Sequence, residues 1–407
     1  MKNTIKLSLV AAVAVAGLTT NAAAGSLENA IKDTTISGKA MVGYNYADTN
    51  IASALGGVTD TANGANDSTS NQTEYDFDIT MNTKVNDTIT FTSGIQADHT
   101  VDNRDETTNT NGSQAITLTK LYFTAKTDVA TVMVGKQKQP TVFLDDERGD
   151  GVVALVPAGP VTIAAGHISG LLADREITAA AVIGTVGPVN ASLWGVNVTN
   201  GTDAGTTASA GADGIDGNAD DVAAVAPAAL NDFSGYSLNL NGTFGPVKVD
   251  LTHSSMDSDI VGSDSETLTK LIVSGKVADV NLVAGYGFTN DDNDNTRDHG
   301  VDLTTDGDAK TNFRLDQIVL NDFNDADALL LGASMTFGKT TVGASYLMAT
   351  VDQNGAADID GTELDLTVAY AMSKNFSITG LYSDAELENG AKIYDETRME
   401  LSLNYKF

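Results

Sequence analysis

A closed antiparallel β-barrel that crosses a membrane is the fold class predicted by three observations. Apolar and polar residues alternate with period two through most of the chain. After the amino terminus, no stretch approaches the ~20 consecutive apolar residues that a spanning helix requires. Connections rich in Asn, Asp and Gly separate the alternating segments, short and long ones taking turns. A chain without spanning helices can cross lipid only if its strands pair with one another all the way round, because unpaired backbone groups are costly there. The alternation is clearest at the carboxy terminus. Met399, Leu401, Leu403, Tyr405 and Phe407 share one parity, and Glu400, Ser402, Asn404 and Lys406 the other, so the two sets lie on opposite faces of a strand.

The amino terminus supplies a route to the membrane. Lys2 and Lys6 precede an apolar run from Leu7 to Leu18, and small residues follow through Ala22-Ala23-Ala24. That order predicts an export signal, residues 1–24, cleaved after Ala22 or Ala24. The barrel then occupies 25–407 as one domain. Losing Lys2 and Lys6 takes the formal charge from -31 to -33. Such a charge argues against nucleic acid, which needs basic patches, and favours cations. With no cysteine, disulfide and thiol chemistry are excluded.

Strands are predicted near 34–46, 73–85, 88–98, 114–126, 130–138, 151–157, 161–168, 176–186 and 189–199. The second half continues near 233–244, 247–255, 267–277, 280–289, 328–337, 340–350, 362–372, 376–386 and 397–407. Short links such as Gly187-Pro188, Gly245-Pro246 and Gly338-Lys339 carry turn residues. Parity settles 140–160. Read as a single loop, it gives seventeen strands and throws 200–232 to the wrong side. A short strand Gly151–Pro157 with a turn at Ala158-Gly159-Pro160 restores the order. The count becomes eighteen, with sixteen as the alternative, in keeping with the even numbers of bacterial single-chain barrels. The longest connections, 200–232 and 290–327, fall on the presumed external side and exceed ordinary loop lengths.

Certain residues carry a family resemblance. Ser26 to Asp33 after the export signal, then Ser37-Gly38, resemble the mature start of Campylobacter-type major outer membrane porins. Lys120-Leu121-Tyr122-Phe123 and Val134-Gly135-Lys136-Gln137 are similar to the strand–turn–strand that leads into the constriction loop of general porins. The ending Tyr405-Lys406-Phe407 resembles the closing strand of outer-membrane barrels, where a terminal Phe and its preceding aromatics are read by the barrel-assembly machinery. The resemblance implies a homotrimer in the outer membrane of a Gram-negative bacterium, reached through the periplasm and set among lipopolysaccharide. It also implies cation-preferring diffusion and calcium binding.

Candidate sites follow. In porins the loop after the fifth strand folds inward. Here it carries Asp145, Asp146, Glu147 and Asp150, a set that would form an acidic rim favouring cations. Lys120, Lys136, Lys138 and Arg148 are the candidates for the basic side. Asp213, Asp216, Asn218 and Asp220 form one oxygen-rich cluster, and Asp291, Asp292 and Asp294 another. Calcium takes several such oxygens, although neither segment has the spacing of a helix–loop–helix site. No other cofactor is expected. Aromatics near strand ends, Tyr44, Tyr46, Tyr75, Phe77, Tyr122, Phe123, Tyr346, Tyr370, Tyr382 and Tyr405, suit the two membrane interfaces, and some of them are expected to face the lumen instead, which the sequence alone does not separate. His99, His167, His253 and His299 have no ligand spacing, and no catalytic constellation is legible. The sequence therefore predicts a non-enzymatic, water-filled pore for ions and small hydrophilic solutes. A substrate-specific channel and a non-conducting adhesin or structural barrel are the alternatives.

Overall fold

Paired strands dominate the computed structural model, which describes residues 32–51, 67–102, 116–138, 141–144, 148–171, 175–199, 232–259, 265–290, 300, 301, 303, 309–353, 357–390 and 392–407. In order the strands are β1 (Thr34–Ile51), β2 (Asp67–Lys84), β3 (Ile89–Asp102), β4 (Ile116–Lys126), β5 (Thr131–Lys138), β6 (Arg148–Ala158), β7 (Val161–Leu171), β8 (Arg175–Val186) and β9 (Val189–Thr199). They continue as β10 (Phe233–Phe244), β11 (Val247–Ser258), β12 (Glu266–Val277), β13 (Val280–Thr289), β14 (Ala326–Phe337), β15 (Thr340–Val351), β16 (Ile359–Ala371), β17 (Phe376–Glu388) and β18 (Lys392–Lys406). All eighteen form one sheet in which each strand pairs with its chain neighbours, and β1 pairs with β18 to close the ring. Every pairing is antiparallel, and because the ring is closed no sheet edge remains to be satisfied in lipid. Among the described residues no helix is long and apolar enough to cross a membrane.

Side-chain parity decides which face is which. On β18, Met399, Leu401, Leu403 and Tyr405 are exposed, and in register Val42 and Tyr44 of β1 are exposed beside them. Their neighbours on the other face include the buried Glu396 and Arg398, which forms an ion pair within the barrel. The outward face is therefore apolar and the lumen polar, as lipid on one side and water on the other require. Tyr44, Tyr75, Phe77, Phe123, Tyr370 and Tyr405 are all exposed on this apolar face. Tyr122, opposite Gly135 and between the exposed Leu121 and Phe123, has luminal parity instead.

Tight turns gather at one end of the barrel. Gly159, Gly187, Gly245 and Gly338 occupy the left-handed region there, which explains their place in the short links. The longer connections gather at the opposite end. Strands also run further than the alternation suggests. β6 begins at Arg148, so Arg148 and Asp150, expected in a loop, lie on a strand opposite Lys138 and Lys136. The reason is backbone satisfaction: β5 continues to Lys138, and its ladder groups need partners.

Candidate functional site

Two chain segments leave the loop end and descend into the lumen. The first follows β5. Phe143 and Leu144 are fully or almost fully buried there, packed with Ile168, Ile177, Ala179, Val196, Val198 and Met256. Ile177 faces Val198 and Ala179 faces Val196 on the luminal side of β8 and β9, so this apolar patch seats the segment. The second precedes β14 and was expected to be an external loop. It instead buries Phe313, Ile318 and Leu320 against Leu268, Ala328, Leu347, Ala349 and Ala385. Small residues make the room. A Cβ on Gly285 or Gly287 would lie 2.9 and 2.8 Å from the Phe313 ring, closer than real contacts allow. The two segments meet where the Leu303 backbone N–H donates to the Phe143 carbonyl at 2.9 Å.

Polar groups fix the second segment. Glu363 on β16 is completely buried. Its Oε1 accepts from the Gln317 backbone N–H at 2.8 Å and its Oε2 from that of Ile318 at 2.7 Å. Arg398 reaches Asp316 at 2.9 Å and Glu396 at 2.8 Å. Tyr394 donates to Glu396 at 2.8 Å. Lys270 on β12 donates to the Lys310 carbonyl at 2.7 Å and also to the Asn312 carbonyl. Charge-assisted bonds to backbone in a partly dry interior are stronger than neutral ones.

The expected site residues are divided by this geometry. Asp145, Asp146 and Glu147 lie outside the described residues, immediately after the inward Phe143-Leu144. Lys120 has luminal parity: its Nζ donates to Thr80 at 2.8 Å and lies 3.6 Å from Asp78. Lys136 does not. It sits opposite Leu121 and Asp150, on the parity of the exposed Val134, and so belongs to the outward set. Lys138 and Arg148 face each other two residues further on, at the loop end. Both clusters expected to hold calcium, Asp213, Asp216, Asn218 and Asp220 and Asp291, Asp292 and Asp294, lie outside the described residues, as does the expected 1–24 leader. Among the described residues no cluster of metal ligands is present. Tyr405 and Phe407 close the barrel, their rings stacked at 5.8 Å.

Other luminal charges went unassigned in the sequence. Lys39 pairs with Asp76 at 2.5 Å, and Asn45 donates to Glu74 at 2.6 Å. With Asp78, Asp316, Glu363, Asp365, Glu396 and Glu400, they make the middle and loop end of the lumen predominantly acidic. Lysines of luminal parity, Lys84, Lys126, Lys248, Lys276 and Lys406, stand near the turn end. Period two carried this information, since each is out of phase with an exposed apolar neighbour.

Comparison with known proteins agrees with this architecture. A family model described as Gram-negative porin matches residues 8–390. The crystal structure of Pseudomonas aeruginosa OpdL is similar at a TM-score of 0.66 and 11% identity, over 92% of this chain and 99% of that one. P. aeruginosa OpdO gives 0.65 and 14%, over 93% and 99%. A BenF-like porin from Pseudomonas fluorescens Pf-5 gives 0.60 and 12%, over 91% and 99%. No curated protein matches the chain. An apolar belt outside, a charged lumen narrowed by two inward segments, and a family match over nearly the whole length lead to one assignment: the chain belongs to the Gram-negative porin family, barrels of the outer membrane.

Proposed function

We propose that this porin is a water-filled, cation-preferring channel for passive diffusion of ions and small hydrophilic solutes. The observation that carries the reading is that the luminal carboxylates Glu74, Asp76, Asp78, Asp316, Glu396 and Glu400 outnumber the cations paired with them, Lys39, Lys120 and Arg398. Fixed charge at a constriction raises the local concentration of counter-ions, and acidic rings favour cations. Asp145, Asp146 and Glu147 belong to the same proposal, because they follow the inward Phe143-Leu144. So do export by the 1–24 leader, a homotrimeric assembly, kinship with the Campylobacter-type porins, contacts with lipopolysaccharide and calcium held by the acidic loops. The leader and the calcium clusters rest on their sequence patterns, and the trimer, the kinship and the lipopolysaccharide contacts on the resemblance.

Reversal potential in a planar bilayer under a potassium chloride gradient tests the reading. A potential of cationic sign that shrinks as salt rises supports it. A zero or anionic value, or a bilayer that stays silent, overturns it. The substrate-specific alternative is favoured by one observation, a cavity in the luminal wall described next. Saturable block by one solute class distinguishes that alternative from unselective diffusion.

A further inference from the structure

A cavity of about 450 Å³ opens in the luminal wall beneath both inward segments, with Val142 of the first and Lys310 of the second at its margin. That volume falls within the ~300–1,000 Å³ usual for small-molecule sites. Its floor is a panel set by strand register. Ser192, Asn239, Thr252 and Lys270 stand directly opposite one another across β9 to β12, flanked on the turn side by Asp250 and on the loop side by Trp194. The panel is pre-organised. Asn239 donates from Nδ2 to Asp250 at 2.7 Å and to Thr252 at 2.8 Å, while its own carbonyl accepts from Asn241 at 2.6 Å. Asn190 donates in turn to Asn241 at 3.2 Å. Lys270 is held by carbonyls of the second inward segment.

We propose that this panel binds a sugar-sized, polyhydroxylated, uncharged solute, a refinement that rests on the channel reading above. Trp194 offers a flat apolar face beside polar rows, and the C–H face of a sugar ring packs on such a surface while its hydroxyls reach sideways. Hydroxyls both donate and accept, so one solute satisfies the Asp250 carboxylate and the Lys270 ammonium together. An anion would be drawn to Lys270 but repelled by Asp250, and a cation the reverse, so neither gains net attraction from the pair. Neutral ligands avoid both repulsions.

Trp194 is the chain's only tryptophan, so fluorescence of the folded protein in detergent, excited at the red edge where the eleven tyrosines do not absorb, reports on the surroundings of this cavity. Titration with glucose and maltose, with glutamate and choline as charged comparators, is the test. The proposal expects a saturable change with a sugar. It expects affinity weakened on the order of tenfold in Asn239→Ala and in the isosteric Asp250→Asn, as loss of one buried hydrogen-bond partner implies. Outward-facing Lys136→Gln should leave it unchanged. Sugar block of single-channel current should also weaken in Trp194→Phe. No saturable change with either sugar, or a response to glutamate or choline equal to that of the sugars, overturns the site. Because fluorescence requires no current, a conducting pore without a sugar response sinks only the site. A silent bilayer with a sugar-responsive tryptophan sinks only the channel.

Discussion

The Glu363 carboxylate lies 2.7 Å from the backbone nitrogen of Ile318, forty-five positions away in sequence, and this contact ties the second inward segment to the barrel wall. Both carboxylate oxygens are engaged, the other by Gln317, and the group is wholly buried. Hydrogen bonds to a charged acceptor contribute ~1.5–3 kcal/mol each. Glu363→Ala should therefore release residues 309–325 while leaving the strands paired. Trypsin cleavage of folded protein after Arg314 is the measurement. Cleavage should rise in Glu363→Ala and less in Glu363→Gln, whose amide oxygen still accepts. Equal resistance in all three proteins would show that the apolar cluster alone holds the segment.

Gly287 permits the same segment to lie flat against β13. Gly287→Val puts branched atoms where the Phe313 ring stands, at 2.8 Å from the Cβ position. Overpacking of this kind costs ~1–3 kcal/mol. Gly195→Ala, at an outward position with its nearest atom 4.0 Å away, is the control. Thermal unfolding should fall measurably for the first and hardly for the second. A Gly287→Val protein as stable and as quiet in conductance as the parent would remove the close-approach argument.

Phe407 and Gly38 exchange backbone hydrogen bonds of 3.1 and 3.0 Å across the seam. A Cβ at Gly38 would lie 2.3 Å from the Asp78 carbonyl and 2.7 Å from the Phe407 ring. Gly38→Val and removal of Phe407 should both lower the yield of heat-modifiable, membrane-inserted barrel. Comparable changes in the lipid-facing middle of β9, such as Leu193→Val, should not. Normal yields for the Phe407 deletion would deny the terminal aromatic any role in assembly.

Luminal and outward lysines should separate in selectivity. Lys120→Gln removes a positive charge beside Asp78, so the reversal potential should move further towards cations. Lys136→Gln, on the parity of Val134, should move it much less, since lipid-side charge is remote from the ion path. Salt screens over ~10 Å at 0.1 M, so the contrast is best read in dilute solution. Equal shifts would mean that the register around Gly135 does not set which way these chains point.

Strand number, order and the lipid-facing set were readable because period two is a property of consecutive residues. Leu401, Leu403 and Tyr405 announce their face within one strand. The second inward segment was not readable in this way. Its seat is assembled from Gly285, Gly287, Ala328 and Ala349 on three strands, each unremarkable alone and meaningful only once register sets them side by side. The porin resemblance puts Lys136 with Lys120 and Lys138 on the basic side of the lumen, although its parity with Val134 points outward. Trp194 carries no local signal beyond its phase with Ser192, and its place inside emerges only once register sets Ser192 opposite Asn239.

The carboxylates of the middle and loop end and the lysines near the turn end give the lumen opposite fixed charge along its axis. In dilute salt such a pore should act as an ionic diode. Voltage that drives cations inward from the acidic mouth, and anions from the basic one, fills the pore with carriers, while the opposite polarity depletes it. Current–voltage curves should then be asymmetric, steeper when positive current flows from the loop end to the turn end. At 1 M, where screening shortens to ~3 Å, they should become straight.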